Sequence, residues 1–167
     1  MKLRDNFDHL IADARHMPFK IGSFDIVTSF SAIEHLPQRW EFKVWIGEMV
    51  QVLKNGGKLV LTTSNKLWIM YPIAKLLATL KHRSPEHFFT PKEIMDELKR
   101  CNLTIETFDA GTIFYRGYSL IPLPNELAEV LENLLNRLDN FIAFELFAGE
   151  LVFAAQKKKP PLITDVM

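Results

Sequence analysis

The 167-residue chain has one cysteine, Cys101, and so no second thiol with which to close a disulfide or build a CxxC zinc or redox pair. A reducing, cytoplasmic setting fits that usage. Glycine is sparse too: the seven, at 22, 47, 56, 57, 111, 117 and 149, contain no GxG spacing, so no glycine-rich phosphate or nucleotide loop is encoded. Neither sign of charge is in excess, because 20 Lys plus Arg offset 20 Asp plus Glu. Such balance creates no field that concentrates nucleic acid or an anionic membrane, and nucleic-acid binding is not indicated. No long apolar run exists either. The richest, residues 67–80, is broken by Pro72 and Lys75 and does not span a bilayer, and the start MKLRDNFDHL is charged where a signal peptide is apolar. The histidines, His9, His16, His35, His82 and His87, are scattered without cysteine partners or an HExxH pattern, so no metal site is expected.

What remains is ordinary globular material, 48% hydrophobic and 24% charged, enough for one domain with a substantial core. That domain is expected over 1–159, with 160–167 as a flexible tail after the basic KKK run. Short apolar strands alternate with longer helical patterns, the arrangement of an α/β fold with a mostly parallel sheet. Strands are predicted at 10–13, 24–30, 58–63, 103–108 and 151–156. The strand at 24–30 is apolar on both faces, Ile26 and Phe30 on one and Val27 on the other, as suits an interior parallel strand. Phe42, Trp45, Ile46, Met49, Val52 and Leu53 mark a helix over 38–53 that Asn55, Gly56 and Gly57 are expected to stop. A short helix starts near Tyr71, with Pro72 in its first turn and Ile73, Ala74, Leu77 and Leu80 as its buried stripe. Thr90, Pro91 and Glu93 match a capping box that opens a helix over 91–101. Leu127, Val130, Leu131, Leu134, Leu135 and Leu138 form the most regular amphipathic stripe in the chain.

Five segments in order carry a family resemblance: ADARHMPF, FDIVTSFSAIEHL, LKNGGKLVLTT and, further on, EHFFTPKEIMDELKRCNL and GELVFAAQKK. Each is weak alone. In sequence they resemble the third to seventh strands of a class I S-adenosylmethionine-dependent methyltransferase of the type 11 domain group, closely over residues 8–64 and more loosely to 157. The resemblance implies a Rossmann-like sheet with helices on both faces, and S-adenosylmethionine as cofactor. The acceptor it implies is a small or lipid-like molecule, with the acceptor atom left open.

It also implies roles for individual residues. Asp13 corresponds to the acid that accepts a hydrogen bond from the adenine amine, as a carboxylate can, and the backbone N–H of Ala14 to the donor facing a ring nitrogen. From residue type alone, Asp13 is a strand-end turn residue or cap. Phe30 and Ser31 fall where the family loop passes the methionine portion of the cofactor, with core packing and capping as their alternatives. Glu34 and His35 fall near the transferred methyl and the substrate. His35 is the candidate catalytic group, able to orient the acceptor or take its proton, or else to pin the loop. Glu86 and His87 are expected to border the substrate, with packing as the plainer role.

The family's front, a strand, a glycine-rich loop, a helix and a second strand, has no counterpart here. In the family order 3-2-1-4-5-7-6 the missing strands sit beside 24–30, which leaves that strand open on one side. Either the chain is the rear of a longer enzyme or it is a natural short protein. A short protein could cover the edge with residues 8–13, with a second copy in a homodimer, or with a partner, and could act as a catalytically inactive interaction or regulatory subunit.

Overall fold

In the computed structural model, residues 8–68, 71–80, 86–110 and 148–159 are described. Four strands, β1 (Phe24–Ser29), β2 (Leu53–Ser64), β3 (Leu103–Ala110) and β4 (Glu150–Lys157), form one sheet in the order β1-β2-β4-β3. β1 and β2 run parallel, and β4 is antiparallel to both β2 and β3. This is the predicted order of the last four strands. Three helices accompany them: α1 (Phe42–Val52), α2 (Tyr71–Leu80) and α3 (Pro91–Arg100).

The three- and four-residue spacing of α1 and α3 becomes burial. Phe42, Ile46, Met49 and Val50 of α1 meet Ile94 and Leu98 of α3 in one cluster with Leu59, Leu61, Leu151 and Phe153 of the sheet. Strand register explains why these sheet residues share a face, since Leu59 lies opposite Ala155 and Leu61 opposite Phe153. Each fully buried Leu, Ile or Phe contributes roughly 1.5–3 kcal/mol of transfer free energy. The capping box of α3 forms as its sequence requires: the Glu93 N–H donates to Thr90 Oγ1, and the Thr90 N–H donates to the Glu93 carboxylate at 2.8 Å.

Several expectations need correction. The sheet is not mostly parallel, since two of its three strand pairings are antiparallel. The helix expected over 38–53 is α1 at Phe42–Val52, preceded by a 3₁₀ turn at Arg39–Glu41, and Leu53 already has extended dihedrals and pairs with Phe24. The following LKNGG residues bulge out until Lys58 meets Ile26, with Gly56 at φ +82°. Gly57 is needed for close approach, since a Cβ there would lie 3.0 Å from the carbonyl oxygens of Asp25 and Lys54.

No strand forms at 10–13. Residues 8–13 are irregular and exposed, because an extended segment with no sheet neighbour has nothing to bond its backbone groups. They therefore do not cover β1, whose outer edge is unpaired among the described residues. Ile26 and Phe30 are 60% and 61% exposed there, so the strand read as interior stands at the edge.

α2 starts at Tyr71 as expected, and Tyr71 packs on Phe88 with ring centroids 4.7 Å apart. Its Ile73 and Leu80 are exposed, however, where the pattern predicts burial. Periodicity identifies an apolar side of a helix but not what covers it. The stripe over 127–138 lies outside the described residues.

Candidate functional site

The carboxyl ends of β1 and β2 build one polar corner. Ser29, the last residue of β1, is buried, and its Oγ has no hydrogen-bond partner. Phe30 turns outward, and Ser31 then adopts φ +43°, a left-handed conformation that disfavours any residue with a Cβ. Three bonds hold it there. The Ser31 N–H donates to Thr62 O at 3.2 Å and to Thr62 Oγ1 at 3.0 Å, and the Ser31 hydroxyl donates to Glu150 Oε1 at 2.8 Å. A strained residue fixed so firmly at the mouth of a sheet is a feature of functional loops.

The 3₁₀ turn Ile33–His35 follows. Glu34 is fully buried, and its two carboxylate oxygens accept from the hydroxyls of Thr63 and Ser64, each at 3.1 Å. Its carbonyl accepts from the His87 N–H at 2.8 Å. Phe89 N–H donates to Ser64 O and Lys66 N–H to Phe89 O, so the 87–89 segment docks against the end of β2. His87 Nε2 is buried there without a partner. His35 points the other way in exposure terms: it is open to solvent.

Asp13 sits in a separate turn. Its carboxylate accepts from the Arg15 N–H at 2.9 Å and from the Arg15 guanidinium at 2.6 to 3.1 Å. The side-chain bond to Arg15, with the backbone bond behind it, holds the Asp13 carboxyl well below the usual carboxylate range. It therefore stays ionised at neutral pH. Arg15 also reaches Glu41, which is buried and accepts from the Gln38 N–H at 2.8 Å. The Met17 N–H donates to Glu48 Oε2 at 2.9 Å.

Of the residues singled out in the sequence, Glu34 and His87 share a hydrogen bond, and Ser31 and Glu34 are held by successive residues at the end of β2, Thr62 and Thr63–Ser64, with Phe30 exposed beside Ser31. Asp13 belongs to a second network, running through Arg15 to Glu41 and the Gln38 N–H. Residue patterns missed Arg15, Glu41, Thr62, Thr63, Ser64 and Glu150. The TTS run closing an apolar strand was a usable signal, because polar residues there line the carboxyl end of a parallel strand. Glu150 had none, being 119 residues from Ser31. Among the described residues, no three His, Cys, Asp or Glu side chains converge to hold a metal ion.

Comparison with known proteins agrees with this architecture. Residues 2–61 match the family model described as a methyltransferase domain. The chain is 31% identical over 104 residues to a ubiquinone biosynthesis O-methyltransferase of Xanthomonas oryzae pv. oryzae, covering 58% of this chain and 41% of that one. It is 38% identical over 53 residues to the chloroplastic tocopherol O-methyltransferase of Arabidopsis thaliana, covering 32% of this chain and 14% of that one. The chain thus spans less than half the length of these curated relatives. Among solved structures, a SAM-dependent methyltransferase from Methanosarcina mazei superposes with a TM-score of 0.59 at 20% identity, covering 89% of this chain and 66% of that one. One from Thermotoga maritima, a possible histamine N-methyltransferase, gives 0.60 at 18%, covering 89% of this chain and 63% of that one. The chain carries the class I methyltransferase fold. Its resemblance to the type 11 methyltransferase domain holds.

Proposed function

We propose that the chain is the acceptor-facing part of an S-adenosylmethionine-dependent methyltransferase that modifies a small or lipid-like molecule. The observation that carries this reading is the loop from Phe30 to His35. It leaves the carboxyl end of β1 through a left-handed serine locked by Thr62 and Glu150, where ligands of open α/β sheets lie. The residues present fit two ends of the cofactor. Asp13 is ionised and exposed, an acceptor suited to the adenine amine, and the orphaned Ser29 Oγ lies beside the loop assigned to the methionine end. Without GxG spacing the chain encodes no glycine loop for the remainder.

When bound, the cofactor supplies an electrophilic methyl group on a sulfonium. Phe30 and Ser31 would flank its methionine portion, and the buried Glu34 fixes the turn that presents His35. The exposed imidazole of His35 orients the acceptor or takes its proton, and alignment of acceptor and methyl supplies much of the rate. His87, tied to the Glu34 carbonyl, borders the acceptor. A cytoplasmic setting belongs to this reading, in keeping with the lone Cys101. Among the described residues no helix is long and apolar enough to cross a membrane.

S-adenosylhomocysteine tests the proposal. At about 100 times its dissociation constant it stabilises the native state by roughly 2.7 kcal/mol, seen as a raised melting temperature. No shift, either in this chain or in one extended by in-frame upstream coding sequence, contradicts it. The open β1 edge, with Ile26 and Phe30 exposed, favours one further reading: a catalytically inactive half-domain that pairs through this edge in a homodimer or with a partner. Sedimentation of a monomer at high concentration counts against that.

A further inference from the structure

We infer that Arg15 is a positioning residue, which aims the Asp13 carboxylate at the ligand's exocyclic amine by bridging Asp13 to the buried Glu41. The inference rests on the cofactor reading above and extends it to a residue that reading does not use.

The turn at 13–17 lacks the support a strand would give. Residues 8–13 pair with no strand, so the sheet does not fix where Asp13 points. Two carboxylates do so instead. Glu48 of α1 accepts from the Met17 N–H at 2.9 Å, and Glu41, at the foot of α1, accepts from Arg15. Glu41 is 5% exposed and is itself held by the Gln38 N–H, so it is a firm base. From that base the Arg15 guanidinium reaches Asp13 with Nε and Nη2, while the Arg15 backbone N–H closes the turn onto Asp13 Oδ1. A planar guanidinium bound at both sides fixes the plane of the carboxylate it grips, which a lysine ammonium does not.

Asp13, Arg15, Glu41 and the Gln38 N–H thus form one hydrogen-bonded line that ends at the foot of α1.

The test compares the wild-type chain with Arg15→Ala and Arg15→Lys, using S-adenosylhomocysteine and the same molecule with hydrogen in place of the exocyclic amine. Arg15→Ala is expected to weaken binding of the amine-bearing probe about tenfold, as loss of an aimed charged hydrogen bond does, and to leave the amine-free probe nearly unchanged. Arg15→Lys should resemble Arg15→Ala. Equal weakening of both probes overturns the inference, since a merely structural role acts on both alike. A second readout needs no ligand: amide hydrogen exchange. The variants should lose protection at 14–17 while β2 keeps its own, and unchanged exchange at 14–17 overturns the inference. If neither the wild-type chain nor one extended by in-frame upstream coding sequence binds either probe while exchange changes as expected, the cofactor reading fails, the aim at an amine falls with it, and only the anchoring of the 14–17 turn stands.

Discussion

Ser31 and Glu34 show how single residues set this corner. Ser31 accepts an unfavourable backbone because Thr62 and Glu150 hold it, and Glu34 accepts burial because the hydroxyls of Thr63 and Ser64 bond its two carboxyl oxygens. Removing a buried acceptor leaves its donors unpaired, at a cost of about 1–3 kcal/mol. Glu34→Ala should therefore lower the stability measured by urea unfolding by that amount, and Glu34→Gln by less. An alanine variant as stable as wild type would mean that Glu34 anchors nothing. The type of each candidate residue was legible in the sequence, but its surroundings were not. Asp13 reads equally as a turn residue or an acceptor until Arg15 and Glu41 are seen beside it, and their pairing spans 26 residues.

At the scale of elements, local chemistry was read well where it is self-contained. Thr90 and Glu93 specify the start of α3 within four residues, and the helix runs from Pro91 to Arg100 as expected. Thr90→Ala should cost about 1 kcal/mol in unfolding free energy. The cap also carries a pH dependence. Burial works to raise the Glu93 carboxyl, but bonds from the Thr90 backbone, Arg39 and Thr90 Oγ1 outweigh it, and the net shift is downward. A depressed folded value means the stabilisation is fully present above the ordinary glutamate value, near about 4.3, and is lost as pH falls through the lower folded value. Thermal melts from pH 6 to pH 3 should show that decline in wild type and a shallower one in Glu93→Gln; parallel curves would contradict it. Where elements depend on neighbours, the sequence misled. LKNGG reads as a helix stop, yet Leu53 already pairs with Phe24 and the glycines fall in a bulge. The apolar side of α2 predicts a cover that the described residues do not provide.

For the whole molecule, the order β1-β2-β4-β3 was legible because short segments occur in a fixed succession, whereas the antiparallel return of β4 was not, since alternating strand and helix patterns point to a mostly parallel sheet. The fate of residues 8–13 was not, since a strand exists only with a partner and no local pattern reports one. The account's central claim is that the Asp13 turn and the Ser31 loop flank one ligand. The direct measurement is a nuclear magnetic resonance titration with S-adenosylhomocysteine, made on this chain and on one carrying any in-frame upstream coding sequence. The account predicts that the amide signals of Ala14 and Ser31 move together along one saturation curve in at least one of the two. Movement of only one signal, or of neither in both chains, would contradict it.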